Sequence, residues 1–515
     1  MMSAPSRASQ ATISSENGED KRPEKVSPLV FVFTALSIAA LGAIVYVIGT
    51  PDIYLAAGCG FAGDIYLYTL SRKTNPSAEL GMRRGFAPIL LVAVVPFAIS
   101  TILAAEGYLG PAQEALLRVA MTTGFSIAIF VSSFPIALAI RFKMRETKGD
   151  RSRDYRPLVS ILVPAYNEQE VISRTLESLM NLKYENKEII VIDDGSTDLT
   201  SVSASWYKQH GVKVLRKPNG GKASALNYGL LFARGEILIT IDSDSMVARD
   251  GIDEIVNIMK NDPNIVAVAG NIRVLNASSL ITRIQELEYI MAINTIRRAF
   301  ALFGVVMVVP GAFGAFRKED VVNVGAYDRD TLTEDFDLTI KLLKTQGCVG
   351  STSSGVAYTE VPSTWKALYK QRLRWNTGTF QTINKHKDAF WNRRFKLVHS
   401  FVFPMILLSM FNPIASFVAI GAGIWLALTG GLLLFLKMEA LFLLVQFFVA
   451  LVALSIDRED YLLAFYSPFF VILYKQFIDF TTIVSAFRAA FGKKKEWHKI
   501  QRKGGTDAIA VRKSR

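Results

Sequence analysis

Residues 236–245 read EILITIDSDS, a short apolar run closed by two aspartates. Ile237 to Ile241 has the β-branched, apolar composition of a buried strand. Side chains alternate faces along a strand, so Asp242 and Asp244 are expected on one side of its carboxyl end. Two carboxylates placed there in an α/β sheet can seat a hard cation and, through it, a diphosphate. A solvated acidic turn has the same composition, so the surrounding chain has to decide.

Two other apolar runs end in similar chemistry. One closes VPAYNE (residues 163–168) and the next DDGSTD (residues 193–198). Neighbouring parallel strands that end in a Pro-fixed turn and an acidic Gly turn can frame a flat base, with carboxylates accepting from ring or ribose donors. Ser196, Thr197 and Asp198 also suit a helix cap, and both roles fit if Asp194 faces ligand. Further on stands KPNGGKASALN (residues 217–227). It is not a P-loop, because Arg216 replaces the first glycine and Ala223 the hydroxyl. Lys222, after two glycines at a helix start, can meet an anionic nucleotide, or the glycines can simply begin the helix.

Downstream lie PGAFGAF (residues 310–316), TED (residues 333–335) and QRLRW (residues 371–375). Gln371, Arg374 and Trp375 fall at i, i+3 and i+4, on one face of a helix. The planar fork of Arg374 suits a diphosphate, and Trp375 offers a plane for a sugar ring. An amphipathic interfacial helix would carry the same residue types.

These residues need elements to hold them. From residue 155 to 385, short strands alternate with helical patterns and no segment is long and apolar enough to span a membrane. That βαβα order predicts an α/β domain built on a mostly parallel, doubly wound sheet, with ligands at the carboxyl ends of the strands. The flanks are different. Half of the 515 residues are hydrophobic, although a fifth are charged. Residues 28–142 hold four apolar runs of membrane-spanning length, at 29–50, 53–70, 86–105 and 119–140. Asp64 interrupts the second and is expected to face other helices.

Arg72, Lys73, Arg83 and Arg84 lie between the second and third runs, whereas residues 51–52 and 106–114 carry no Lys or Arg. The positive-inside rule then places the amino terminus and the α/β domain in the cytoplasm of a multi-pass plasma-membrane protein. Residues 386–491 read as interfacial and transmembrane helices. Spans at 401–428 and 432–456 would leave the last segment in the interface, and a break near Ser416 would give four crossings. Residues 1–27 read as a disordered tail and residues 492–515 as a basic cytoplasmic one. The net charge of +13 does not point to nucleic acid, because much of the excess (Arg141, Lys143, Arg145, Lys148, Arg151, Arg153) adjoins an apolar run. Two distant cysteines and four scattered histidines offer neither a disulfide framework nor a zinc site.

VPAYNE, DDGSTD, NGGKASALN and IDSD, in this order, resemble the family-two glycosyltransferases of the GT-A fold. PGAFGAF, TED and Q-x-x-R-W extend the resemblance to the membrane-embedded, mostly processive branch, which includes cellulose, chitin, hyaluronan and poly-N-acetylglucosamine synthases. TED stands where hyaluronan-type enzymes carry a GDD-like sequence, and the set is most similar to poly-β-1,6-N-acetylglucosamine synthases. The resemblance implies an inverting transfer from a UDP-sugar, with GlcNAc the expected sugar, to a growing glycan passed across the bilayer. Two alternatives stay open, a single addition to a membrane lipid and a non-enzymatic membrane protein that binds a nucleotide for regulation. The resemblance implies Ala165, Tyr166, Glu168 and Asp194 around uracil, with Lys222 also on the nucleotide. Asp242 and Asp244 would take the diphosphate and its Mg²⁺ or Mn²⁺, and Asp335 would be the general base. Gly311, Glu334, Gln371, Arg374 and Trp375 would line the diphosphate and acceptor. Asp335 could instead only cap the helix that follows it. Accessory subunits are left open.

Overall fold

A computed structural model of the chain describes residues 26–49, 51–73, 87–109, 112–146 and 155–491. The amino-terminal tail before Val26, the loop with Arg83 and Arg84, the cluster Lys148, Arg151 and Arg153, and the basic tail from residue 492 lie outside the described residues.

The α/β domain is built on eight strands: β1 (Val159–Ala165), β2 (Lys187–Asp193), β3 (Lys213–Arg216), β4 (Ile237–Thr240), β5 (Met246–Val247), β6 (Ile265–Val274), β7 (Gly314–Arg317) and β8 (Cys348–Thr359). Their order in the sheet is β3-β2-β1-β4-β7-β6-β8-β5. The β3-β2-β1-β4 half is parallel, as βαβ connections require. β7 inserts antiparallel between β4 and β6, and β5 runs antiparallel to β8, so the sheet is mixed. Both antiparallel strands were too short to read from the alternation of apolar residues.

Alternation along β1 sends Ile161 and Val163 into one apolar layer with Leu176, Ile239 and Ile255, and Leu162 into the other with Ile190, Leu226 and Leu238. The second layer continues without a break into Phe130, Phe134 and Leu138 and into Phe401, Val402 and Phe403. The sheet and the apolar helices therefore share one core.

Helices occupy all four amino-terminal apolar runs, beginning at Pro28, Pro51, Ala87 and Ala112. Asp64 faces the fourth of them, where Ser133 Oγ donates to its carboxylate at 2.5 Å. Among the described residues, four helices are long and apolar enough to cross a membrane: Arg118–Glu146, Val398–Gly430, Phe435–Asp457 and Tyr461–Phe491. The helix Phe403–Leu426 runs through Ser416 unbroken, with Pro413 inside it, so there is no division there. The chain turns instead at Thr429 and Gly430, where Gly430 takes φ 99°. The last segment has spanning length and also packs along the helix that carries QRLRW. Asn376 Nδ2 donates to Thr482 Oγ1 at 2.9 Å, and the Trp365 and Phe477 rings lie 5.0 Å apart.

A buried ion cluster fastens the two parts together. Arg298, 1% exposed, donates to Asp457 at the end of a membrane helix, and Lys143 lies 4.0 Å from the same carboxylate. Arg273 on β6 pairs with Glu459 at 2.8 Å.

Candidate active site

The loop after β1 and the loop after β2 are laced together. Asp194 N–H donates to Ala165 O at 2.9 Å, Asn167 N–H to Ser196 Oγ at 2.9 Å, and Glu168 N–H to Thr200 Oγ1 at 2.6 Å. Asn167 sits at φ 54°, a conformation Asn tolerates, and its side-chain oxygen accepts from Thr197 N–H at 2.8 Å. Asp198 stands one residue before the cap position of the helix Thr200–Ser205, held by Leu199, and accepts from Thr200 N–H at 3.0 Å. Ala165, Tyr166 and Glu168 thus sit in a loop bonded directly to the acidic turn.

Asp194 is buried, and its carboxylate reaches forward in the chain. It accepts from Lys217 Nζ at 2.5 Å and from the N–H groups of Gly220 at 3.1 Å and Gly221 at 2.7 Å. Gly195 must stay small, because a Cβ there would come within 2.7 Å of Asn219 N. Asp194 therefore pins the glycine turn that launches the helix Lys222–Phe232. Further along that helix, Asn227 exchanges two hydrogen bonds with the Tyr327 backbone, at 2.7 and 3.0 Å.

Lys222, the first residue of that helix, is the hub. Its ammonium donates to Asp242 Oδ1 at 2.5 Å and lies 3.3 Å from Glu334 Oε1. Burial works against its charge, yet Asp242, Glu334 and Asp335 outweigh it and hold the ammonium above its ordinary pKa. Burial also raises the carboxyl of Glu334, with Asp335 adding to the effect and Lys222 and Arg374 opposing it. Gly311 N–H donates to Asp335 Oδ2 at 3.2 Å, and a Cβ on Gly311 would run into Lys222 Nζ. Lys222, Asp242, Gly311, Glu334 and Asp335 are widely spaced in sequence and meet here, with the charge of Arg374 close enough to act on Glu334.

The two aspartates of DSD lie past the end of β4, in a turn closed by Ser245 N–H to Asp242 O at 2.9 Å. Strand alternation therefore does not orient them, contrary to the reading from the sequence. The Asp242 side chain is 29% exposed and faces Lys222, whereas Asp244 is 1% exposed.

TED is held by the QRLRW helix, Trp365–Lys385. Arg374 Nη1 donates to Leu332 O at 3.4 Å, and Leu332 N–H donates to Gln381 Oε1 at 3.0 Å. Gly378 allows the approach, since a Cβ there would lie 2.6 Å from Thr333. Residues 374, 378, 381 and 385 follow the face of Gln371, Arg374 and Trp375 down the helix. The helix after TED begins at Glu334, so Asp335 is its second residue and Thr333 stands at its cap position.

Residues 160–325 match the family described as Glycosyl transferase family 2. This segment is a family 2 glycosyltransferase domain. Curated relatives include the poly-beta-1,6-N-acetyl-D-glucosamine synthases of Staphylococcus aureus (strain COL), 35% identical over 279 residues, and of Staphylococcus epidermidis, 34% identical over 236 residues. The first match covers 54% of this chain and 66% of the relative, and the second 45% and 57%. The chain therefore spans less than two thirds of the length of these relatives. Among solved structures, a mannosyltransferase from Pyrobaculum calidifontis, determined with GDP-Man and Mn²⁺, matches at a TM-score of 0.50 and 21% identity. That likeness covers 72% of this chain and 99% of the other, and it is a likeness of fold.

The donor set in the transferase domain suits a hard cation. Asp242 and Asp244 offer carboxylate oxygens, and the ammonium seated on Asp242 Oδ1 marks that oxygen as a place for positive charge. A second acidic group, Asp328, Asp330 and Asp337, brings its oxygens within 4.8 Å of one another. Lys385 Nζ already bonds all three, at 2.5, 2.8 and 3.0 Å, and His386 Nε2 lies 2.9 Å from Asp337 Oδ1. This group clamps the TED helix to the end of the QRLRW helix.

Arg372, inside QRLRW, falls outside the i, i+3 and i+4 set of Gln371, Arg374 and Trp375, although it stands three residues before Trp375 itself. It is 5% exposed, donates to Glu288 Oε2 at 2.5 Å and to Tyr474 OH at 3.2 Å, and covers the Trp375 ring at 4.4 Å. Burial would weaken its charge, but Glu288 raises the guanidinium above its usual range. Trp375 is thereby fixed as a platform, tied through Arg372 to the last apolar segment. Gln371, the residue before Arg372, is partly buried.

Proposed function

We propose that the chain is an inverting, metal-dependent, processive synthase of a plasma membrane, with its transferase domain in the cytoplasm. It moves GlcNAc from UDP-GlcNAc onto a growing polysaccharide and passes the product across the bilayer. The observation that carries this reading is the meeting of Lys222, Asp242, Gly311, Glu334 and Asp335, with the charge of Arg374 acting on Glu334. The names of the staphylococcal relatives favour the polymer and the sugar, and the Mn²⁺ and GDP-Man of the mannosyltransferase favour a metal-bound nucleotide sugar.

In this reading uracil lies between the loop of Ala165, Tyr166 and Glu168 and the turn of Asp194. Asp242 and Asp244 would hold Mg²⁺ or Mn²⁺, which when bound offsets the charge of the departing diphosphate. Lys222 and Arg374 add to that on the protein's side. Asp335 takes the proton of the acceptor hydroxyl as its oxygen bonds to the anomeric carbon. The bond from that carbon to the phosphate oxygen breaks, and UDP leaves with the electron pair. One base suffices, because the diphosphate needs no proton to depart. Gly311, Glu334, Gln371 and Trp375 line the acceptor side, where Trp375 provides an apolar surface for a sugar ring.

The test is incubation of the purified full-length chain with separate labelled UDP-sugars and Mg²⁺ or Mn²⁺, followed by sizing and linkage analysis. The expected product is a size-retained β-1,6-linked polymer formed from UDP-GlcNAc. A single labelled sugar recovered in the lipid extract would replace this reading with that of a lipid-directed, non-processive transferase.

A further inference from the structure

Arg297 is used by none of the contacts described above. It lies on the helix Thr295–Ala301, directly after a π-helical turn at Tyr289–Asn294, and such turns recur at functional sites. Its neighbour Arg298 is spent on Asp457 at the membrane junction. Arg297 Nη1, by contrast, is buried and meets no acceptor among the described residues. Burial pushes its guanidinium down to about 10, and Tyr289 and Asp335 are the ionisable groups that act on it in the opposite direction. Tyr289, Ile293 and Arg297 fall at i, i+4 and i+8, and the first two pack in one cluster with Ala312, Phe313 and Trp375. The turn that leads into the Arg297 helix therefore shares an apolar layer with residues of PGAFGAF and QRLRW.

A desolvated cation with an empty hydrogen-bonding position is costly in the unliganded protein. The cost is offset when a ligand brings an anionic oxygen to it. We infer that Arg297 is a donor-recognition residue whose guanidinium binds the β-phosphate of the nucleotide sugar. The β-phosphate is the choice because Asp335 lies close enough for its charge to act on Arg297. In the reading above Asp335 serves the anomeric carbon, and the β-phosphate oxygen is the atom bonded to that carbon. The inference rests on that reading of the site.

The experiment measures the binding of UDP and of UMP, each with Mn²⁺, to the full-length protein in nanodiscs by calorimetry, together with its unliganded thermal midpoint. Arg297→Met is expected to weaken UDP binding about 10- to 100-fold, the range of one charged hydrogen bond. UMP, which lacks the β-phosphate, should bind as before. The unliganded midpoint should hold or rise, because an unpartnered charge has left the interior. Arg297→Lys should fall between wild type and Met in UDP affinity. Unchanged UDP binding in the Met variant would overturn the inference, as would an equal loss for both nucleotides accompanied by a lower midpoint. Wild-type protein that binds neither nucleotide would overturn the reading of the site, and the inference with it.

Discussion

Asp335→Asn is expected to cut sugar transfer about 10²–10⁴-fold, the usual contribution of a positioned general base, while UDP affinity stays within about twofold. The carboxylate accepts from Gly311 N–H at 3.2 Å and from Phe336 N–H at 2.8 Å. Asn keeps the size but only one acceptor oxygen, so it can keep one of these two bonds, which go to Oδ2 and Oδ1 respectively, and the other is lost. What it lacks is an oxygen able to receive a proton from the acceptor hydroxyl. The helix begins at Glu334 with Thr333 at its cap position, so Asp335 is not the cap, and a residue that only supported the helix start would tolerate Asn far better than a base would. Initial rates at saturating donor, with UDP binding measured alongside, check the result. A rate within a few-fold of wild type would move the base elsewhere, with Glu334 as the neighbour to test.

The second large effect is on stability. Arg372→Met removes the cation from Glu288, whose side chain is 11% exposed beside the 6% exposed Arg372. Breaking a buried pair by deleting one partner typically costs about 3–5 kcal/mol, because the remaining charge is left without its counterpart. The same change frees the Trp375 ring and takes a donor from Tyr474. We expect a markedly lower thermal midpoint and weaker packing of the last apolar segment. Arg372→Met combined with Glu288→Gln should recover most of the loss, since no unpaired charge then remains. Thermal unfolding of the two single variants and the double variant in detergent measures this. A midpoint in Arg372→Met equal to wild type would show that the pair does not hold the QRLRW helix in place.

The sequence made the parallel half of the sheet and the order of the site motifs legible, because β1, β2 and β4 are continuous apolar runs that end in the residues of interest. β7 and β5 were not legible. Gly314–Arg317 is four residues among small and aromatic neighbours, and Met246–Val247 has no length over which to alternate. Their antiparallel pairing is set by tertiary packing. DSD was found for its residue types, but its geometry came from a turn that no periodicity announces. Asp194 stood out as an acid at a strand end. Its grip on Lys217, Gly220 and Gly221 required knowing that two loops fold onto each other. Arg372 and Arg297 had the weakest signals, each an arginine on the buried side of a helix whose other residues drew the attention. The last apolar segment was readable as hydrophobic, but its pairing with the QRLRW helix depends on Asn376, Thr482 and Tyr474, polar residues with no spacing that links them.

The central claim is that paired acids after β4 hold a divalent cation on the donor while Asp335 prepares the acceptor. The measurement that tests it most directly is the rate of label transfer from UDP-GlcNAc by the purified chain, before chelation with EDTA, after it, and after Mn²⁺ or Mg²⁺ is returned. Transfer should stop on chelation and return with the metal in the wild type, and the metal should fail to restore it in Asp242→Ala. Transfer that continues unchanged in the chelated wild-type protein would contradict the account.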